Sequence, residues 1–195
     1  MITDVFNKDA VKVLTLFSVS PGSKFTRKEI KEKTMLNNVP LDNVLNSLLN
    51  NKILIKEKRF ISLNFENKDL KPVLDIIKME HLRFKEIPLK IYYMLLDVSA
   101  VLSNIQSLMK VYLFGSYAKL IYTDKSDIDL AVVLENGHKD IVNKLKKSVS
   151  MIEKKYDKNL ELHFFEEKDM RQKDPIIKEI LRNSVELFGK NNFLN

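Results

Sequence analysis

The sequence predicts an α+β protein: a basic region of short helices closed by a hairpin, then a helical linker, then strands alternating with helices. Three observations carry that prediction. Residues 1–68 show helical apolar spacing broken by turn signals and end in two short apolar runs around a charged tip. Residues 69–96 hold helical periodicity. Residues 97–195 alternate short apolar strands with a helical segment. Composition agrees. The apolar fraction is 45%, and Gly plus Pro total only nine of 195 residues, which favours helices and compact loops over disorder. There is no Cys, so disulfides and thiolate metal sites are excluded, and three scattered His form no zinc constellation. No apolar run approaches a membrane span and no signal sequence opens the chain, so the expected location is the cytoplasm, with no membrane partner.

The formal net charge of +7 is uneven. Met1 to Lys68 holds 12 basic and 7 acidic residues, against 21 and 19 in the remainder, so an anionic partner is expected at the N-terminal third. There, Ala10 to Val19 reads as a mostly buried helix stopped by Ser20-Pro21-Gly22. Thr26-Arg27-Lys28-Glu29 matches a capping box opening a short helix to about Lys33. A third helix is expected from near Asn38, with Pro40 in its first turn and Leu41, Val44, Leu45, Leu48 and Leu49 as its apolar positions. Ile53-Leu54-Ile55 and Phe60-Ile61-Ser62-Leu63 then flank the tip Lys56-Glu57-Lys58-Arg59, a β-hairpin.

Three helices followed by a hairpin resemble a winged helix-turn-helix, a fold common among DNA-binding regulators. The resemblance implies double-stranded DNA as a partner, with Arg27, Lys28, Lys56, Lys58 and Arg59 on phosphates and Asn43 on the presumed recognition helix. That helix region, Asn37 to Asn51, holds no Lys or Arg and six Asn. A protein-docking or dimerisation module fits such a helix equally.

Two helices are expected across Asp69 to Lys110, separated at Pro88. The first is too apolar to stay solvated and must pack on a domain or on a second copy in a homodimer. Asp97 to Met109 is read as the first helix of the C-terminal domain. At the far end, Pro175 to Leu181 reads as a helix and Val185 to Gly189 as a strand, both in packing roles.

The chemistry lies between Val111 and Leu134, VYLFGSYAKLIYTDKSDIDLAVVL. An apolar strand runs into Gly115-Ser116 and a short helix through Tyr117 to Leu120. Ten residues on come Asp127-Ile128-Asp129, read as lying within a second strand, where period-two alternation puts both carboxylates on one face. Adjacent carboxylates repel, and a divalent cation with a taste for oxygen relieves them. A glycine between strand and helix lets backbone N–H groups and a hydroxyl come close to a phosphate. Phosphate cradle and metal acids in one unit point to metal-assisted phosphoryl chemistry.

Phe114-Gly115-Ser116, the spacer Tyr117 to Ser126 and Asp127-Ile128-Asp129-Leu130 resemble the signature of the DNA polymerase beta-like nucleotidyltransferases, most of all the minimal prokaryotic and antitoxin-type members. The resemblance covers roughly Lys110 to Gly189. It implies transfer of a nucleoside monophosphate, AMP first, from a Mg²⁺-bound nucleoside triphosphate such as ATP to a hydroxyl. It also implies a third acid on a later strand. Asn159 to Phe165 offers the alternation, and Lys139 to Tyr156 offers a crossover helix before it, so Glu161 joins Asp127 and Asp129 as catalytic and metal-binding acid. Gly115, Ser116 and Lys119 would hold the phosphates. Members carry Arg-Gly where this chain has Lys119-Leu120; lysine keeps the cation without the planar fork, and loss of the glycine predicts a reshaped loop. His163, two positions beyond Glu161, falls on the same strand face, near the metal site or simply exposed. The acceptor stays open among a partner toxin protein, an RNA 3′ end and a small molecule. The competing function is a DNA-binding regulator whose nucleotidyltransferase domain only senses a nucleotide.

Overall fold

The computed structural model describes residues 7–84, 87–135, 141–172 and 174–189. Its contacts fall into two compact units that divide at Ile87.

In the N-terminal unit, helix α1 (Lys8–Val19) is the hub. Val11 to Phe17 are all buried, because α2 (Arg27–Thr34), α3 (Asn38–Asn50) and α4 (Leu70–Leu82) pack against it. Glu29 returns its carboxylate to the Thr26 backbone N–H at 2.7 Å, and the Glu29 N–H donates to Thr26 Oγ1, so the expected capping box forms at the start of α2. The Thr26 bonds hold the Glu29 carboxyl below its ordinary range. Strands β2 (Leu54–Glu57) and β3 (Phe60–Leu63) form the hairpin across a two-residue turn, Lys58-Arg59, with Lys58 at φ 55. A strand that periodicity did not show, β1 (Phe25–Thr26), adds antiparallel to β3, giving the order β1-β3-β2.

The helical stretch over residues 69–96 divides between the two units. Helix α4 packs on α1 within the first unit, whereas α5 (Leu89–Leu102) packs on the helix Ile141–Tyr156 and the strand Val185–Gly189 within the second. Helix α5 also stops earlier than the expected helix over 97–109. Ser103 Oγ and Asn104 Nδ2 both donate to the Ala100 carbonyl, satisfying an end group that would otherwise want the next turn. The chain is in strand again by Leu108.

The second unit is built on a four-stranded sheet of order β6-β5-β4-β7, comprising β4 (Leu108–Phe114), β5 (Ile128–Leu134), β6 (Leu160–Glu166) and β7 (Val185–Gly189). Strand β4 is antiparallel to both neighbours, while β5 and β6 are parallel, so the sheet is mixed. The parallel pair follows from the crossover helix α7 (Ile141–Tyr156), as its apolar spacing led one to expect. Helices α5 and α7 are tied at depth: Lys155 Nζ and Tyr156 OH donate to Asp97 Oδ2 at 2.8 and 2.7 Å, and Asp97 is only 5% exposed. Breaking such a buried arrangement typically costs about 3–5 kcal/mol. Helix α8 (Pro175–Asn183) packs against β4, where Ile180 meets Phe114 and Ala131. Among the described residues, no helix is long and apolar enough to cross a membrane.

Candidate active site

The site is set by strand register. Phe114 faces Asp129 across the antiparallel β4–β5 pair, and Asp129 faces Glu161 across the parallel β5–β6 pair. Residues aligned across neighbouring strands point to one side of a sheet. The acid of β5 and the acid of β6 therefore share a face through register alone, although they are far apart in the chain. Ala131 aligns with His163, which puts the imidazole on that same face one pleat further along.

Three of these side chains converge. One ligand atom each from Asp129, Glu161 and His163 lie within 4.8 Å of one another. His163 Nε2 stands 3.4 Å from Glu161 Oε1 and 4.0 Å from Asp129 Oδ1. The imidazole ring meets Phe114 edge-on, with centroids 5.1 Å apart. Asp129 is half-buried, and its carboxyl is pushed above the usual range. Desolvation is the main cause, the Glu161 charge the next, with Asp127 adding to it; His163 and the Ser116 backbone hydrogen bond pull the other way. A carboxylate held close to a second carboxylate, with that little compensation, is what a divalent cation stabilises. The donor set of this corner fits one.

Asp127 sits slightly differently from its expected place within the strand. It precedes β5, is exposed, and accepts a hydrogen bond from Asn159 Nδ2 at 3.1 Å. Asn159 also accepts from the Ile128 N–H, so the residue that opens β6 pins the entry to β5. No sequence pattern singles out Asn159 for this, because the contact exists only once the two strands are side by side.

The turn beside the acids is fixed by Gly115. Strand β4 ends at Phe114, and Gly115 turns into the single-turn helix α6 (Gly115–Ala118) with φ 68. A Cβ there would lie 2.0 Å from Asp129 Oδ2 and 2.8 Å from its Cγ. Glycine is required twice over, by left-handed backbone and by the carboxylate that fills the space. Ser116 lies alongside, and its backbone hydrogen bond goes to Asp129. Lys119 is paired with Glu179 of α8. Leu120 takes φ 59, so the loop holds a left-handed turn even though no glycine stands there.

The residues proposed from sequence for DNA lie in the other unit. Lys28, Asn43, Lys56, Lys58 and Arg59 are exposed. Arg27 is engaged: its Nε and Nη2 grip the two oxygens of Asp42 at 2.7 and 2.8 Å, and Asp42 raises the guanidinium pKa further. At the hairpin, Lys24 pairs with Glu57 at 2.8 Å, and Arg59 lies over the Phe60 ring.

Strand order, the glycine turn and the paired acids together define a class. Residues 97–193 match the family model described as polymerase beta, nucleotidyltransferase. Residues 97–193 thus form a nucleotidyltransferase-type domain. Solved structures similar to it include a toxin–antitoxin complex determined with AMP-PNP, 22% identical over 49% of this chain and 73% of that one, with a TM-score of 0.38. A protein from Sulfolobus solfataricus described as a nucleotidyltransferase is 23% identical over 52% and 85%, with a TM-score of 0.36. A mutant of the toxin–antitoxin pair MntA-HpeT is 21% identical over 48% and 71%, also at 0.36. No curated protein matches the chain.

Proposed function

We propose that this protein transfers a nucleoside monophosphate, AMP first, from a nucleoside triphosphate to a hydroxyl, using Asp127, Asp129 and Glu161. The observation that carries the reading is the register pairing of Asp129 with Glu161 beside the left-handed Gly115 turn. Asp129 and Glu161 would hold Mg²⁺ between them, with Asp127 at the rim oriented by Asn159. A bound divalent cation supplies charge neutralisation on the phosphate oxygens of an in-line displacement. The chain's own groups do the rest. Gly115 lets the backbone approach the β- and γ-phosphates without a side chain in the way, and Ser116 offers a hydroxyl. Lys119 brings a cation to the same loop from its place against Glu179. Glu161, more exposed than Asp129, would take the proton of the attacking hydroxyl.

For the acceptor we propose the hydroxyl of a partner protein, the toxin of a toxin–antitoxin pair, on the strength of the motif's resemblance to antitoxin-type members. The N-terminal unit we read as a winged helix-turn-helix that binds duplex DNA, supported by the helices α1, α2 and α3 that precede the hairpin, by the three-stranded sheet and by exposed Lys28, Lys56, Lys58 and Arg59.

Labelled ATP with Mg²⁺ and the candidate partner tests the transferase directly. Label on the acceptor or pyrophosphate release should appear with the native chain and vanish with Asp127→Asn, Asp129→Asn. Tight ATP binding without turnover across acceptors would instead make the domain a nucleotide sensor. For DNA, Lys56→Ala, Lys58→Ala, Arg59→Ala should weaken duplex binding and flatten its salt dependence. Unchanged affinity would remove the hairpin from the DNA interface.

A further inference from the structure

We propose that His163 is itself a ligand of the cation site, making it a mixed oxygen–nitrogen site that takes Mn²⁺ or a later first-row ion in preference to Mg²⁺. This rests on the reading of Asp129 and Glu161 as metal acids and deepens it.

Geometry comes first. Two donors each about 2.1 Å from one ion stand about 3.0 Å apart at right angles and about 4.2 Å apart when opposite. The His163 separations, 3.4 Å to Glu161 and 4.0 Å to Asp129, both fall in that interval. Position is fixed as well. Ala131 beside it in the register is too small to push the ring aside, and Phe114 meets the ring edge-on at an interplanar angle of 72°. The imidazole is thereby aimed at the acids before any ion arrives, which lowers the ordering cost of ligation.

Chemistry comes second. Among the described residues no Lys or Arg pairs with Asp129 or Glu161, so the site is not closed by a fixed cation. Mg²⁺ favours oxygen donors and keeps its water, whereas imidazole suits the transition ions. An all-carboxylate corner would select by charge; adding Nε2 changes the preference in one predictable direction.

The test uses the full chain and Mn²⁺ alone, without nucleotide, since adenine nitrogens would confuse the readout. Pulsed EPR of the bound Mn²⁺ should show ¹⁴N coupling, lost in His163→Ala. In the same variant the Mn²⁺ dissociation constant should rise at least about tenfold, with Mg²⁺ affected much less. If Mn²⁺ binds, is lost in Asp129→Asn and shows no ¹⁴N coupling, the histidine proposal falls while the carboxylate site stands. If Mn²⁺ does not bind the native chain at all, both fall. Should His163→Ala fail to fold, the native spectrum decides alone.

Discussion

Gly115 and Leu120 lie in one loop and share a left-handed backbone, φ 68 and φ 59, yet they reach it under opposite constraints. At Gly115 the neighbourhood forbids a side chain, because the Asp129 carboxylate occupies the place where a Cβ would go. At Leu120 the side chain is 45% exposed, and the left-handed backbone serves the end of α6, where the Leu120 N–H donates to the Tyr117 carbonyl at 3.3 Å and the Ile121 N–H to the Ser116 carbonyl at 3.0 Å. The contrast separates a conformation required by the acid beside it from one that only closes a helix end. Substitution at the first should damage chemistry and stability together; substitution at the second should touch stability alone.

The largest effect is expected at Gly115→Ala. The new methyl must displace the Asp129 carboxylate, and a misplacement of about 1 Å can cost on the order of a hundredfold in rate. Left-handed alanine adds about 1–2 kcal/mol of strain. Transferase rate and thermal unfolding measured on the same preparation would show both losses; a variant with native rate would break the link between this turn and the acids.

A moderate effect concerns Asp129 and pH. Its carboxyl titrates above its ordinary value, so the folded chain binds the proton more tightly than the unfolded chain does. Stability tied to this group is therefore greater below that raised pKa and falls as pH climbs through it. A divalent cation replaces the missing counter-charge. Adding one should raise the unfolding temperature at neutral pH, and the gain should shrink on acidification through the same window. In Gly115→Ala the gain should be smaller at every pH. A cation-independent unfolding temperature at neutral pH would remove Asp129 from the metal site.

The smallest effect is expected at Leu120→Gly. Relief of left-handed strain is partly offset by the greater freedom of glycine in the unfolded chain, leaving a net stabilisation of about 0.5 kcal/mol. Cation binding should not change. If it does, the loop at Leu120 reports to the acids and the contrast with Gly115 is less sharp than the geometry indicates.

Much of the fold was legible in the chain because local rules carry it. The stop at Ser20-Pro21-Gly22, the capping box at Thr26 and Glu29 and the apolar spacing of α3 and α7 each stand where the structure has them. The misreadings have local causes too. The apolar run through Ile105 and Met109 prolonged the helix on paper, while Ser103 and Asn104 end α5 by bonding back to Ala100. Strand β1 spans only Phe25–Thr26, too short for any periodicity to register, and it exists because β3 offers an edge. Asp127 was read into the strand by alternation, yet the ladder starts at Ile128 and Asn159 holds the aspartate at the rim.

Sequence by itself determined the kinds of group available: a glycine before a short helix, two aspartates around an isoleucine, and a glutamate two positions before a histidine on an alternating strand. Those are properties of near neighbours, and backbone periodicity transmits them faithfully. Only the tertiary structure decided which of them meet. Parallel pairing of β5 with β6 fixed Asp129 against Glu161, brought His163 to within 4.0 Å of Asp129, and left Lys119 against Glu179. Register between strands depends on how whole sheet faces bury their apolar sides, a sum over many residues that no local motif contains.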